Sequence, residues 1–244
     1  DAGIDLAQLE QSAAKIVYIT PSHQFPTGAV MPIQKRIALL DWAVRTDGVI
    51  IEDDYDSELR YNSRPIPSVQ SLDMLGRVVY IGTFSKTLAP ALRLSYMVLP
   101  PSWLNIYRLK FKTYNNPVPW LQQKTLERFM SLGHWERHLR KVCLAQKKKH
   151  DVLIRTVREL MDKSVVIHGE NAGLHVLLEF AGVDEASLVE KAKKYGVIVY
   201  PVSRYWLCPE NYAGNMVLLG FSSLNSQDIV AGLTLLNLAW FGEK

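Results

Sequence analysis

Short, continuous apolar runs alternate with helical segments along the first half of the chain, and this alternation constrains the fold more than any other feature. Runs of this type occupy residues 15–20, 48–53, 77–83 and 93–100, and a helical pattern covers 33–46. Strands that are apolar on both faces are typical of a parallel or mixed sheet covered by helices on both sides. The sequence therefore predicts an α/β fold with a mostly parallel sheet.

The pattern changes in the second half. Residues 119–161 are predicted to be mainly helical with a break at Gly133, and short strands and helices follow. We therefore expect three parts: a large α/β domain (1–135), a connecting helix (136–160) and a small α+β domain (161–244).

Composition excludes few functions. The 244 residues include 28 basic and 24 acidic ones, a net charge of +4 that is too balanced to indicate nucleic-acid binding by this segment. Cys143 and Cys208 form neither a disulfide framework nor metal-ligand spacing, so we expect free thiols and no metal. No apolar run is long enough to span a bilayer. The chain begins with Asp1 rather than Met, and we expect it to be part of something longer.

Three polar segments directly follow or end predicted strands. They are TPSHQFPTG (20–28), EDDYDSE (52–58) and GTFSKT (82–87). In open α/β sheets, ligands bind at the carboxyl ends of the strands. The coincidence of the three segments at that edge predicts a ligand site there.

Lys86, in the third segment, has three possible roles: a phosphate-binding lysine, an ordinary surface charge, or a covalent cofactor anchor. A P-loop requires glycine immediately before the lysine, and Ser85 stands there instead. A lone lysine is usually solvated. However, Arg93 follows seven residues later, and Thr83 and Ser85 place hydroxyls beside Lys86. Asp53 and Tyr55 lie at the end of the previous strand, and this set argues against an ordinary surface charge.

Three motifs carry a resemblance to a known family. SHQFPTG (22–28), IIEDDYDSELRY (50–61) and TFSKTLAPALRLSYMVLP (83–100) resemble the aminotransferase-like domain of the MocR/GabR-type transcription regulators, the GabR type in particular. These regulators join an N-terminal winged helix-turn-helix to a fold-type I domain that binds pyridoxal 5′-phosphate. The resemblance implies that fold and that cofactor for this chain.

The resemblance also assigns roles around the cofactor ring. It implies that Lys86 forms the internal aldimine and that Tyr55 donates a hydrogen bond to the ring's phenolic oxygen. A carboxylate should face the pyridine nitrogen and keep it protonated. Asp53 is favoured for this role, with Asp54 as the alternative.

For the phosphate group, the resemblance implies Arg93 with the hydroxyls of Thr83 and Ser85.

The first polar segment departs from the aminotransferase pattern. Phe25 stands where those enzymes carry an asparagine that touches the ring oxygen. His23 is the candidate replacement, although a turn histidine satisfied by nearby backbone is an equal alternative. Asp56 and Glu58 are expected to be solvated loop residues.

The substrate end departs as well, because Leu218 occupies the region where aminotransferases carry a carboxylate-binding arginine. Arg204 is the candidate replacement, since the planar guanidinium suits a carboxylate; a solvated loop arginine is the competing interpretation. The resemblance implies a cytoplasmic, homodimeric effector sensor that binds an amino acid, with γ-aminobutyrate as the leading candidate, as an external aldimine. DNA contact would come only from an N-terminal domain outside this chain. The alternative is a working aminotransferase.

Overall fold

The computed structural model describes residues 3–61, 66–161 and 163–242, which form two compact units. Unit 1 comprises Asp1–Gln24, Ala29–Glu58 and Arg64–Val142. Unit 2 comprises Phe25–Gly28, Leu59–Ser63 and Cys143–Lys244. Two short segments therefore belong to unit 2 although the residues around them in sequence belong to unit 1.

The sheet of unit 1 has four strands in sequential order: β1 (Ile16–Ile19), β2 (Val49–Asp54), β3 (Val78–Thr83) and β4 (Ser95–Val98). The first three are parallel, and β4 pairs antiparallel with β3. The predicted α/β class with a mostly parallel sheet is confirmed.

The helices of unit 1 lie before, between and after its four strands. They are α1 (Leu6–Gln11), α2 (Ile33–Arg45), α3 (Val69–Leu72), α4 (Pro101–Lys110), α5 (Trp120–Ser131) and the first part of α6 (His134–Leu160). Gly133 separates α5 from α6 with a φ of 70°, so the predicted helix break is confirmed. No described helix combines the length and the apolar character needed to cross a bilayer.

Helix α2 packs its apolar face into the core of unit 1. Leu39, Trp42 and Ala43 recur at helical spacing, and they share one buried cluster with Val17 and Ile50. Burial of each large apolar side chain contributes about 1.5–3 kcal/mol to folding. This cluster fixes β1 and β2 relative to α2.

The buried Arg36 of α2 holds the start of the loop that follows β1. Its guanidinium donates to the carbonyl oxygens of Pro21 (2.9 Å), Met31 (3.1 Å) and Pro67 (2.9 Å). In addition, Met31 N donates to Pro21 O at 2.9 Å. The first polar segment therefore leaves the sheet from a point that a buried cation holds in place.

Unit 2 contains a second, antiparallel sheet in the order β5-β6-β8-β7. Its elements are β5 (Val166–His168), β6 (His175–Glu179), α7 (Glu185–Lys194), β7 (Tyr200–Pro201), β8 (Met216–Gly220) and α8 (Ser226–Phe241), together with the second part of α6. The apolar stretch 197–201 pairs over only two residues.

Candidate functional site

The three polar segments predicted from the sequence follow or end β1, β2 and β3. These strands are parallel neighbours, with Ile19 opposite Glu52 and Asp53 opposite Ile81. Their carboxyl ends therefore reach the same edge of the sheet, where ligands bind in folds of this type.

Lys86 lies in the turn after β3, with an exposed side chain. The turn is held by its own hydroxyls, because Thr83 Oγ1 accepts from Ser85 N (3.2 Å) and bonds to Ser85 Oγ (3.1 Å). Phe84 N donates to Leu94 O at 3.1 Å and closes the segment against the start of β4. Among the described residues, no hydrogen bond or ion pair engages the Lys86 amine, which is therefore accessible to a ligand.

Gly82 begins this motif for a packing reason. A Cβ at position 82 would overlap the ring of Tyr96, which lies opposite Gly82 in the register of β3 and β4. Only glycine admits this close approach of the ring to the strand.

Arg93 has an exposed side chain and a left-handed backbone, with φ of 47°. It ends a 3₁₀ helix, Pro90–Leu92, and its N–H donates to Pro90 O at 3.3 Å. A non-glycine residue in this conformation costs about 1–3 kcal/mol, and such residues concentrate at ligand sites.

Asp53 and Asp54 lie on opposite faces of β2, because side chains alternate along a strand. Asp53 is half-buried, and its carboxylate accepts a hydrogen bond from the hydroxyl of Tyr18 on β1. Burial, together with this bond and the carboxylate charge, raises the pKa of Tyr18 to about 12. Tyr18 was not identified from the sequence, although its alternation within IVYI places it on the same face as Asp53.

Asp54 is buried and accepts a hydrogen bond from Tyr80 Oη at 2.8 Å. Burial is the main cause that raises the pKa of Tyr80, and the Asp54 charge raises it further. The other carboxylate oxygen of Asp54 is buried and has no hydrogen-bond partner in the described part of the chain. The two adjacent carboxylates thus have different surroundings.

The loop after β2 corrects one expectation. Asp56 is only 1% exposed, and its Oδ2 lies 3.0 Å from Nδ1 of the equally buried His23. Burial raises the pKa of Asp56, whereas the His23 bond and the positive charge of Lys86 lower it. Glu58 is half-buried, and burial raises its pKa as well. The prediction that Asp56 is solvated was wrong, because its carboxylate packs against His23. Glu58 is partly shielded from solvent.

Tyr55 lies beside this pair. Its hydroxyl donates to the carbonyl oxygen of His23 at 2.8 Å, and burial raises its pKa. His23 therefore has a carboxylate partner as well as a role in positioning Tyr55.

Arg204 lies in unit 2, in a 3₁₀ helix formed by Ser203–Tyr205, with an exposed side chain. Its guanidinium donates to the hydroxyl of Tyr205. The guanidinium carbon lies 4.7 Å from the ring centroid of Tyr205 and 5.5 Å from that of Tyr200. These cation–π contacts limit the directions in which the arginine points.

Phe25 also belongs to unit 2. Its ring makes edge contacts with the rings of Tyr205, at a centroid distance of 4.8 Å, and of His175, at 5.4 Å. The residue that replaces the aminotransferase asparagine is therefore part of the aromatic surroundings of the Arg204 segment.

Known proteins resemble this chain in both sequence and fold, although no family model matches it. It is 41% identical over 241 residues to YdeL, an uncharacterised HTH-type transcriptional regulator of Bacillus subtilis, covering 98% of this chain and 52% of YdeL. It is 30% identical over 239 residues to the probable rhizopine catabolism regulatory protein MocR of Rhizobium meliloti, covering 98% of this chain and 48% of MocR. The chain thus spans about half the length of these curated relatives.

Among solved structures, the multiple substrate aminotransferase of Thermococcus profundus superposes with a TM-score of 0.85 at 26% identity. The match covers 96% of this chain and 58% of the enzyme. The chain is therefore similar in sequence to HTH-type regulators and similar in fold to an aminotransferase. The chain belongs to the aminotransferase-like domains of the MocR-type transcription regulators.

Proposed function

We propose that unit 1 binds pyridoxal 5′-phosphate at the carboxyl edge of its sheet, with Lys86 as the covalent anchor. The observation that carries this proposal is the accessible Lys86 amine at the same sheet edge as the half-buried Asp53. The fold-type I aminotransferases and the regulator family imply this cofactor. When bound, it supplies an aldehyde that condenses reversibly with primary amines.

The chemistry of the surrounding donors fits that group. Arg93 supplies a permanent cation for the phosphate, and Thr83 and Ser85 supply hydroxyl donors. Asp53 supplies the negative charge for the pyridine nitrogen. Its half-buried position supports this role better than that of Asp54, whose carboxylate already serves Tyr80 inside the unit.

Tyr55 and His23 complete the proposed site. Tyr55 is the donor to the ring's phenolic oxygen, which requires its hydroxyl to leave the carbonyl of His23. His23, held by Asp56, fixes the segment that carries this carbonyl rather than reaching the ring with its own side chain.

We further propose that the protein containing this chain senses an amino acid instead of turning it over, and that Arg204 binds the effector's carboxylate. YdeL and MocR, which match at 30% identity or more, are both named as regulators, and this supports the role. γ-Aminobutyrate is the effector to test first. DNA contact would come from a helix-turn-helix domain outside this chain, and the protein would act as a homodimer.

The anchor is tested by the visible absorbance of the purified, cofactor-saturated protein. We expect Lys86→Ala to abolish the imine band, because only a primary amine forms it. Lys86→Arg separates charge from chemistry, since it keeps the cation and also loses the band. The matched control is Lys112→Ala, another exposed lysine of unit 1. An unchanged band in either Lys86 variant contradicts the proposal.

A working aminotransferase is the second candidate, favoured by the fold similarity to the Thermococcus enzyme and by the retained lysine. Turnover separates the two candidates. Sustained transfer of amino groups to a keto acid at about 1–1000 per second, rates typical of enzymes, would establish the enzyme. Binding of the amino acid without such turnover supports the sensor.

A further inference from the structure

Glu185, the first residue of α7, has a buried carboxylate that accepts hydrogen bonds from the segment before Arg204. It is 5% exposed. Its Oε2 accepts from Val202 N (2.7 Å) and Ser203 N (3.0 Å), and its Oε1 accepts from Ser203 Oγ (2.5 Å). Tyr212 Oη donates to Oε2 at 2.9 Å. Four donors thus converge on one carboxylate.

This carboxylate does not serve its own helix. The N-terminus of α7 is capped by Asp184, whose side chain accepts from Ser187 N at 3.0 Å. Glu185 N donates instead to Gly214 O at 2.7 Å. An acidic residue in the first turn usually lies at the surface and interacts favourably with the helix dipole. Glu185 is instead buried, and its carboxylate is directed at a loop. Burying a carboxylate is costly unless donors compensate it, and here the loop supplies the donors.

The consequence concerns Arg204. Val202 and Ser203 directly precede it, so the bonds to Glu185 fix the backbone from which the guanidinium projects. Contacts with Tyr200 and Tyr205 then restrict the side chain. We propose that Glu185 is the positioning residue of the Arg204 carboxylate site and that it acts through this backbone without touching the ligand. The inference rests on the proposed role of Arg204.

The first test is hydrogen exchange in the cofactor-loaded protein. We expect Glu185→Ala to speed exchange of the Val202 and Ser203 amides by roughly tenfold or more, because each loses a charged acceptor. Glu185→Gln keeps one acceptor oxygen and should restore much of the protection. Glu190→Ala, at an exposed position of the same helix, is the control. This measurement is independent of the effector's identity, and unchanged protection in Glu185→Ala overturns the proposal.

The second test is calorimetric binding of γ-aminobutyrate and of propylamine, which lacks only the carboxylate. We expect Glu185→Ala to weaken γ-aminobutyrate binding about tenfold and to change the affinity for propylamine by no more than about twofold. The reason is that disorder in the segment before Arg204 affects only the binding of a carboxylate. Glu185→Gln should recover most of the affinity. In the background of Arg204→Ala, Glu185→Ala should have no further effect, since the two residues act as one unit.

The outcomes separate the two claims. If Arg204→Ala leaves γ-aminobutyrate affinity unchanged, the proposed role of Arg204 is wrong. If Arg204→Ala weakens binding and Glu185→Ala does not, the positioning role of Glu185 is wrong. If Glu185→Ala weakens γ-aminobutyrate and propylamine equally, Glu185 is a general structural residue of unit 2 and the positioning role is again wrong.

Discussion

The hydroxyl of Tyr18 on β1 donates a hydrogen bond to the carboxylate of Asp53 on the neighbouring strand β2. The bond orients the carboxylate that we assign to the pyridine nitrogen. Because hydrogen bonding to a charged acceptor is stronger than between neutral groups, the loss of this bond should be measurable in cofactor binding.

We therefore expect Tyr18→Phe to weaken pyridoxal phosphate binding about fivefold to tenfold, the equivalent of one hydrogen bond. Absorbance titration of the cofactor-free protein measures the affinity. Tyr107→Phe is the control, because the hydroxyl of Tyr107 makes no hydrogen bond within the described residues. Equal affinities for wild type and Tyr18→Phe would show that the bond does not serve the cofactor.

The opposite faces of Asp53 and Asp54 predict different phenotypes for neighbouring substitutions. We expect Asp53→Ala to weaken pyridoxal phosphate binding at least about tenfold, because the compensating charge is lost. Asp54→Ala should leave that affinity nearly unchanged but lower the free energy of unfolding by about 1–3 kcal/mol, since the Tyr80 hydroxyl loses its acceptor. Cofactor titration and urea unfolding of both variants check this. The reverse pattern would assign the pyridine role to Asp54.

At Arg204, geometry and charge can be separated. Arg204→Ala should weaken effector binding about 10- to 100-fold while cofactor loading stays intact, and Arg204→Lys should restore only part of the affinity because lysine lacks the bidentate fork. Calorimetric titration with γ-aminobutyrate measures both. Arg158→Ala, another exposed arginine of unit 2, is the control. Full recovery in Arg204→Lys would exclude bidentate binding.

His150 predicts a pH dependence of stability. Its ring is buried and stacks on Tyr61 at a centroid distance of 4.2 Å. Burial lowers its pKa below the ordinary 6.5, although the Asp151 carboxylate opposes the shift. The folded state therefore binds fewer protons than the unfolded state in the window below 6.5. The neutral, buried His150 therefore contributes fully to the stability of the fold above pH 6.5. Its contribution decreases as the pH falls toward the pKa of His150 in the folded state.

We expect the free energy of unfolding in urea to decrease below neutral pH, with His150 contributing at most about 1.4 kcal/mol per pH unit to the decrease. His150→Phe keeps a ring against Tyr61 and should lose less stability between neutral and mildly acidic pH. His134→Phe, at an exposed position, should behave like wild type. A pH profile of His150→Phe identical to that of wild type would contradict this assignment.

Much of the fold followed from local patterns. The predicted run 77–83 corresponds to β3, and the helix predicted over 33–46 corresponds to α2. The break at Gly133 was predicted because glycine ends helices through positive φ. By contrast, α4 was not singled out, and only two residues of the apolar stretch 197–201 form a strand. Pairing partners, rather than the apolar run itself, decided the length of that strand.

The surroundings of the site residues were less predictable. Asp56 looks like a loop carboxylate in sequence, yet His23, 33 residues earlier, covers it. Tyr18 reads as an ordinary strand residue, and its bond to Asp53 depends on the register between β1 and β2. No pattern in the sequence indicated the contacts of Glu185, because its hydrogen-bond partners follow it by 17 to 27 residues.

The sequence by itself determined the order of helices and strands, the α/β class and the collection of polar residues at the strand ends, because these depend on backbone propensity and on side-chain periodicity over a few residues. Only the tertiary structure decided that Asp53 pairs with Tyr18, that Asp56 is buried against His23 and that Glu185 holds the segment before Arg204. Those contacts join residues that are distant in sequence, and strand register and packing, which local patterns do not encode, set the distances between them.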